Sequence, residues 1–153
     1  MRKLSYVSLD NKRDLETWFD DLCESARAMV RRTGGHGATA EGIIKTMFTM
    51  IGRNDYYLLI CVDAETHEFL GFLHAILTTY DVPYWVDFLA LYTKPGVAKQ
   101  AKNEVFEMLC AWARSMGAVR IMTTVTRSPL RFYKWFHKPL GFTFAGVLLE
   151  VKI

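Results

Sequence analysis

The chain has 153 residues, of which 51% are hydrophobic and 23% charged, so it carries enough apolar material for one packed core and too little net polarity for a disordered segment. A formal charge of +3 suits an anionic ligand but is weak for a nucleic-acid surface, and no basic stripe with interleaved aromatics emerges to suggest one. Three cysteines, an odd number and each in an apolar context, argue for a reducing compartment and against a disulfide framework or a metal-ligand set.

Tyr6 to Leu9 reads as a short strand. From Asn11, a capping residue, apolar side chains at Leu15, Trp18, Phe19, Leu22, Ala26, Met29 and Val30 keep a helical period, which predicts one helix up to the break at "RRTGGHG". Thr39 then opens a second helix whose apolar face is Ile43, Ile44, Met47, Phe48 and Ile51. "DYYLLICVD" and "FLGFLHAILTTY", separated by the polar "AETHE", predict an antiparallel hairpin. His74, inside the second of these runs, reads as a core histidine with a partner. "YWVDFLALYT" is the next strand.

Residues Gln100 to Met116 form a helical pattern with Val105, Phe106, Leu109, Trp112 and Ala113 on one face and Gly117 as its stop. "VRIMTTV" follows as a buried strand. A strand–helix–strand run over residues 86 to 125 implies a parallel pair with a crossover. Ser128 and Pro129 open a short helix that Pro139 closes, and "GVLLEVKI" ends the chain as a strand. The longest uncharged stretch, Phe69 to Tyr80, is too short to span a bilayer, and "MRKLSYVSLD" lacks the apolar region of a signal peptide, so a cytoplasmic protein is expected. No repeat or linker divides the chain, and residues 1–153 are read as a single domain.

Two places stand out chemically. "TKPGVAKQAK" links a strand to a helix start, where free N–H groups and the helix dipole attract phosphate. It has one glycine, Gly96, and three lysines, Lys94, Lys99 and Lys102. Cations at a helix start oppose its dipole, a conflict that a bound anion relieves. The second place is Asp87, the only charge in "YWVDFLAL", which is costly there unless it meets a ligand or a partner.

The order β-α-α-β-β-β-α-β-α-β resembles the GNAT N-acetyltransferase superfamily, and "ALYTKPGVAKQAKNEVFEMLCAWARSMGAVRI" and "RFYKWFHKPLGF" resemble its acyl-CoA segment and its Tyr-then-Gly-Phe ending. The resemblance covers residues 5 to 153 and is strongest over 86 to 142. It implies an α/β (α+β) fold: a mixed, mostly antiparallel sheet with a central parallel strand pair and helices on both faces. It implies acetyl-CoA as co-substrate, no metal, and direct transfer of the acyl group to an amine acceptor, a small molecule or a protein.

The pyrophosphate would rest on backbone N–H groups of Val97, Ala98, Lys99, Gln100, Ala101 and Lys102, and the pantetheine arm would run beside Leu89, Ala90, Leu91 and Tyr92. Asp87 would be the amine's base. The acid for the leaving thiolate would be His137 if the Gly141-Phe142 ending aligns without gaps, or Tyr133 if the loop here is longer; "RFY" favours Tyr133. His36, in the connection between the first two helices, would border the acceptor site.

The family's Gly positions in that loop fall on Gln100 and Lys102, both long, unless the alignment slides to use Gly96. The family's frequent Asn is replaced by Thr126 or Leu130. Those departures support an alternative, a GNAT-like binding or assembly module without catalysis, similar to small divergent members carried by tailed bacteriophages, in which case the compartment is the host cytoplasm. Nothing in the sequence separates a monomer from a homodimer.

Overall fold

The computed structural model describes residues 2–33, 38–80, 83–123, 134 and 138–143. Among the described residues five strands and four α-helices follow one another in the expected order, except that two helices stand where the first was expected. They are β1 (Leu4–Leu9), α1 (Lys12–Thr17), α2 (Phe19–Thr33), α3 (Ala40–Met50), β2 (Tyr56–Asp63), β3 (Phe69–Thr78), β4 (Trp85–Thr93), α4 (Ala98–Ser115) and β5 (Arg120–Thr123). A 3₁₀ turn spans Lys138–Leu140. The strands lie side by side in the order β1-β2-β3-β4-β5, antiparallel except for the parallel pair β4–β5. The pair stands at the end of the described sheet. The expected short helix at 129–137 and the last strand lie outside the described residues.

The expected first helix is two. Asn11 caps α1 by accepting from the Asp14 N–H at 2.9 Å, but at Trp18 the backbone leaves helical geometry and its N–H turns back to the Leu15 carbonyl. Leu15, Leu22 and Ala26 are fully buried on both sides of the break, so the apolar stripe keeps its phase across it. That is why periodicity alone reads one helix. Trp18 spends its ring on Phe69 of β3, at 6.1 Å between centroids. Thr39 caps α3 as expected, accepting from the Gly42 N–H at 3.0 Å.

Every residue of β2 is buried, because both faces of the sheet are covered. On one face α4 packs its Val97, Ala101, Val105, Leu109 and Ala113 row against Leu59, Leu70, Leu73, Val86 and Phe88. The four-residue spacing puts that row on one side of the helix. On the other face α1, α2 and α3 bring Leu15, Leu22, Ile43 and Met47 onto Leu58, Ile60, Phe72 and Tyr92. Because Val97 belongs to the buried row, α4 starts at Ala98, earlier than the Gln100 expected from the sequence. Gly71 of β3 lets β4 come close: a Cβ there would lie 2.3 Å from the Tyr92 carbonyl oxygen. Among the described residues no helix is long and apolar enough to cross a membrane.

Candidate active site

β4 carries the candidate site residues Asp87 and Leu89 to Tyr92, and it is locally irregular. His74 of β3 pairs with Ala90 while the next residue, Ala75, pairs with Phe88, so Leu89 is an extra residue on β4. Such a bulge bends its strand, breaks the hydrogen-bond ladder and re-aims side chains. Val86 and Phe88 point into the α4 side of the sheet, whereas Ala90 and Tyr92 pack on the α1–α3 side. Pairing with β5 runs from Trp85↔Arg120 to Phe88↔Thr123, where the Thr123 hydroxyl also donates to the Phe88 carbonyl at 3.1 Å. Leu89, just past the last described β5 pair, is 45% exposed. The strand is therefore irregular over Leu89, Ala90, Leu91 and Tyr92, with Leu89 exposed and Tyr92 buried.

β4 leads through Lys94, Pro95, Gly96 and Val97 into α4. Gly96 takes φ of +84°, a left-handed conformation, with nothing near the place a Cβ would occupy. The N-cap position, Val97, offers no side-chain acceptor, and the first turn has no acidic residue. Gln100 and Ala101 already donate their N–H groups to the Val97 carbonyl, and Val97 donates to the Lys94 carbonyl. The donors left at the open end are thus Ala98 and Lys99, a narrower set than the six residues expected from the sequence. An uncapped helix start without a local acid fits an anion there.

The lysines are not equivalent. The Lys94 ammonium is held by Glu68 of the β2–β3 turn at 3.0 Å, and Glu68 also faces Arg2 at 3.7 Å. Lys94 is therefore already engaged by an acid of the neighbouring turn. Lys99 is exposed and Lys102 half-buried. Gln100, long where a small residue was expected, donates its amide to the Arg2 carbonyl and so ties the chain start to α4. Arg32 of α2 lies over the Tyr92 ring at 5.0 Å and donates to the Thr93 carbonyl at 3.5 Å, a cation that sequence reading missed.

Asp87 lies between Val86 and Phe88, so its side chain is on the opposite face, towards the α1–α3 side, and it is half-buried. The carboxylate is gripped on both oxygens. The Thr78 hydroxyl donates to Oδ2 at 2.5 Å and the Trp85 indole N–H donates to Oδ1 at 3.2 Å. Each oxygen keeps a lone pair for a further proton or donor. The register Thr78↔Trp85 next to Ile76↔Asp87 sets this triad, and it is readable only once the β3–β4 alignment is known. His74, as expected, is a core histidine: it is 4% exposed, and its Nδ1 lies 3.0 Å from the Tyr56 hydroxyl. Tyr133, His137 and His36 lie outside the described residues. Among the described residues no cluster of His, Cys, Asp or Glu is arranged to hold a metal.

The chain matches no protein-family model and no curated protein at a significant level. Its structure is nevertheless similar over nearly its whole length to solved acetyltransferases. An aminoglycoside N-acetyltransferase in complex with CoA is 10% identical, with a TM-score of 0.76, covering 100% of this chain and 96% of the other. A predicted acetyltransferase from Clostridium acetobutylicum with acetyl-CoA is 13% identical, with a TM-score of 0.73, covering 98% and 96%. Glucosamine-6-phosphate N-acetyltransferase from Arabidopsis thaliana is 13% identical, with a TM-score of 0.69, covering 98% of both chains. The protein has the GNAT N-acetyltransferase fold.

Proposed function

We propose that the protein is an acyl-CoA-dependent N-acyltransferase, acetyl transfer to an amine being the simplest case. The observation that carries this reading is the start of α4: it follows the bulged β4 and has neither a side-chain cap nor an acid in its first turn. The solved acetyltransferases of this fold, two of them with CoA or acetyl-CoA, support the same co-substrate. The backbone N–H groups of Ala98 and Lys99 would hold the diphosphate, with the Lys99 and Lys102 ammonium groups adding charge. The edge from Leu89 to Tyr92 would line the pantetheine arm.

Acetyl-CoA supplies an acyl carbon already activated as a thioester. The chain's task is to bring a neutral amine to it and remove a proton. Asp87, fixed by Thr78 and Trp85, takes the amine proton directly or through a water as the N–C bond forms and the C–S bond breaks. The departing sulfur takes a proton from Tyr133 or His137. The three cysteines are unpaired, which suits a reducing cytoplasm.

A second reading, a binding module of the same fold without catalysis, is favoured by the long Gln100 and Lys102 and by the engagement of Lys94 with Glu68. Calorimetric titration with acetyl-CoA separates the two. Micromolar binding, followed by acetyl transfer to members of a primary-amine panel, is the expected result. No heat at millimolar acetyl-CoA ends the enzyme reading.

A further inference from the structure

Val86 and Phe88 of β4 and Ile121 of β5 pack on the α4 side of the sheet. The residues that alternate with them, Trp85 and Asp87 on β4 and Arg120 and Met122 on β5, therefore share the opposite face. The parallel register sets Trp85 beside Arg120 and Asp87 beside Met122. On that face α1–α3 cover Leu58, Ile60, Phe72 and Tyr92, and none of the four residues belongs to the apolar cluster so formed. Arg120 and Met122 are exposed, Trp85 and Asp87 half-buried.

The Trp85 indole links the two charges of this face. Its N–H donates to Asp87 Oδ1 at 3.2 Å, and its ring carries the Arg120 guanidinium 5.7 Å from the centroid. A guanidinium laid against a ring loses motion but keeps its N–H groups, which donate at its edge. Steps of about 3.3 Å along a strand and about 4.8 Å between strands put the Asp87 and Arg120 Cα atoms roughly 8 Å apart. Among the described residues Arg120 forms no ion pair, with Asp87 or any other acid. A ligand carrying an amine and a carboxylate on one carbon fits between them: the short body of an α-amino acid and two charge-assisted contacts of about 2.8 Å span the gap. Met122, 37% exposed and next to Asp87, presents a flexible apolar chain to the ligand's own side chain.

We propose that this face is the acceptor site for a free α-amino acid with an apolar side chain, its amine at Asp87, its carboxylate on Arg120 and its side chain against Met122. The proposal rests on the N-acyltransferase reading above and names the acceptor class. The amino acid arrives as an ammonium and gives one proton to solvent. Asp87 takes a second as the N–C bond forms and the C–S bond breaks, and the sulfur leaves as a thiol. The net products are an N-acetyl amino acid, CoA with its thiol protonated and one proton.

The experiment compares L-leucine, L-leucinamide and 3-methylbutylamine, which share the amine and the apolar chain but of which leucine alone has the carboxylate. Each is tested as an acceptor, by thiol release from acetyl-CoA, and as a ligand, by calorimetry with CoA present. Leucine should be the best acceptor and the tightest ligand. Arg120→Ala should raise its KM and Kd about tenfold with little change in kcat, the effect of losing one charge-assisted contact, and Arg120→Lys should restore part of the loss. The values for 3-methylbutylamine should not move in either variant. Equal use of leucinamide and leucine, or an Arg120→Ala loss of the same size with 3-methylbutylamine, overturns the proposal and leaves the transferase reading standing. Leucine binding that depends on Arg120 without thiol release upholds the amino-acid site and overturns the transferase reading alone. No leucine binding at millimolar concentration overturns the proposal, whichever other amine is acetylated.

Discussion

The Tyr56 hydroxyl and His74 Nδ1 meet 3.0 Å apart between β2 and β3, both side chains almost wholly inside the α1–α3 side of the sheet. Burial holds the imidazole at about 4, well below its ordinary 6.5. The unfolded chain therefore takes a proton on this residue between pH 6.5 and 4 that the native protein does not. Stability should be level above pH 6.5 and fall as the pH drops through that window, by up to roughly 3 kcal/mol. Urea denaturation at a series of pH values checks this, and His74→Leu should flatten that part of the profile. Tyr56→Phe leaves a buried ring nitrogen without its partner and should cost about 1–3 kcal/mol; adding His74→Leu to it should recover part of the loss.

Gly71 gives a purely steric prediction. A methyl group there would meet the Tyr92 carbonyl oxygen at 2.3 Å and Thr93 Cα at 3.1 Å, both backbone atoms that move only with the strand. Gly71→Ala should destabilise by about 1–3 kcal/mol or more, seen as a lower Tm, and should disturb β4 at the edge assigned to pantetheine. A variant with wild-type Tm would mean that β3 and β4 can part there at no cost.

Much of this fold was legible because strong periods leave little choice. β2, β3, α3 and α4 carry long apolar runs or stripes with turn or cap residues between them, and their types and order follow from that. What escaped depends on relations between distant residues. The break at Trp18 leaves the apolar phase of α1 and α2 intact, so nothing local marks it. The Leu89 bulge and the pairing of Thr78 and Trp85 with Asp87 arise from cross-strand register, which no single segment encodes. The pairing of Lys94 with Glu68 joins residues 26 positions apart in two different turns, so neither segment alone reveals it. Asp87 itself was visible as a lone charge in an apolar strand.

The Lys94–Glu68 pair makes a test of the loop. Both side chains are substantially exposed, 35% and 47%, so the pair adds little stability, on the order of 0.5 kcal/mol. Glu68→Gln frees the ammonium and removes a negative charge near the start of α4. Acetyl-CoA affinity should rise about two- to fivefold at low salt, and the gain should shrink as salt is added. Lys99→Ala should move affinity the other way. Titrations that show no change in either variant would leave the backbone N–H groups of Ala98 and Lys99 as the whole of the anion site.

Asp87 carries the decisive prediction, because its surroundings separate a structural role from a chemical one. Asp87→Asn preserves shape. Asn Oδ1 can still accept from the Trp85 indole, and the Thr78 hydroxyl, which donates now, can turn to accept from the new amide. The fold should lose no more than about 1 kcal/mol, and acetyl-CoA affinity should hold, since neither diphosphate donors nor the Leu89–Tyr92 edge is altered. Transfer to an amine should fall by about 10²-fold or more, as expected when a general base is lost. Thr78→Val is the companion variant: it leaves the carboxylate but removes one of its two anchors. It should give an intermediate loss in kcat with unchanged acetyl-CoA affinity, because the base is present but less well aimed. Full activity in Asp87→Asn, measured with any amine that the wild type acetylates, would remove the base from Asp87 and leave the Thr78–Asp87–Trp85 contact as a clasp between β3 and β4.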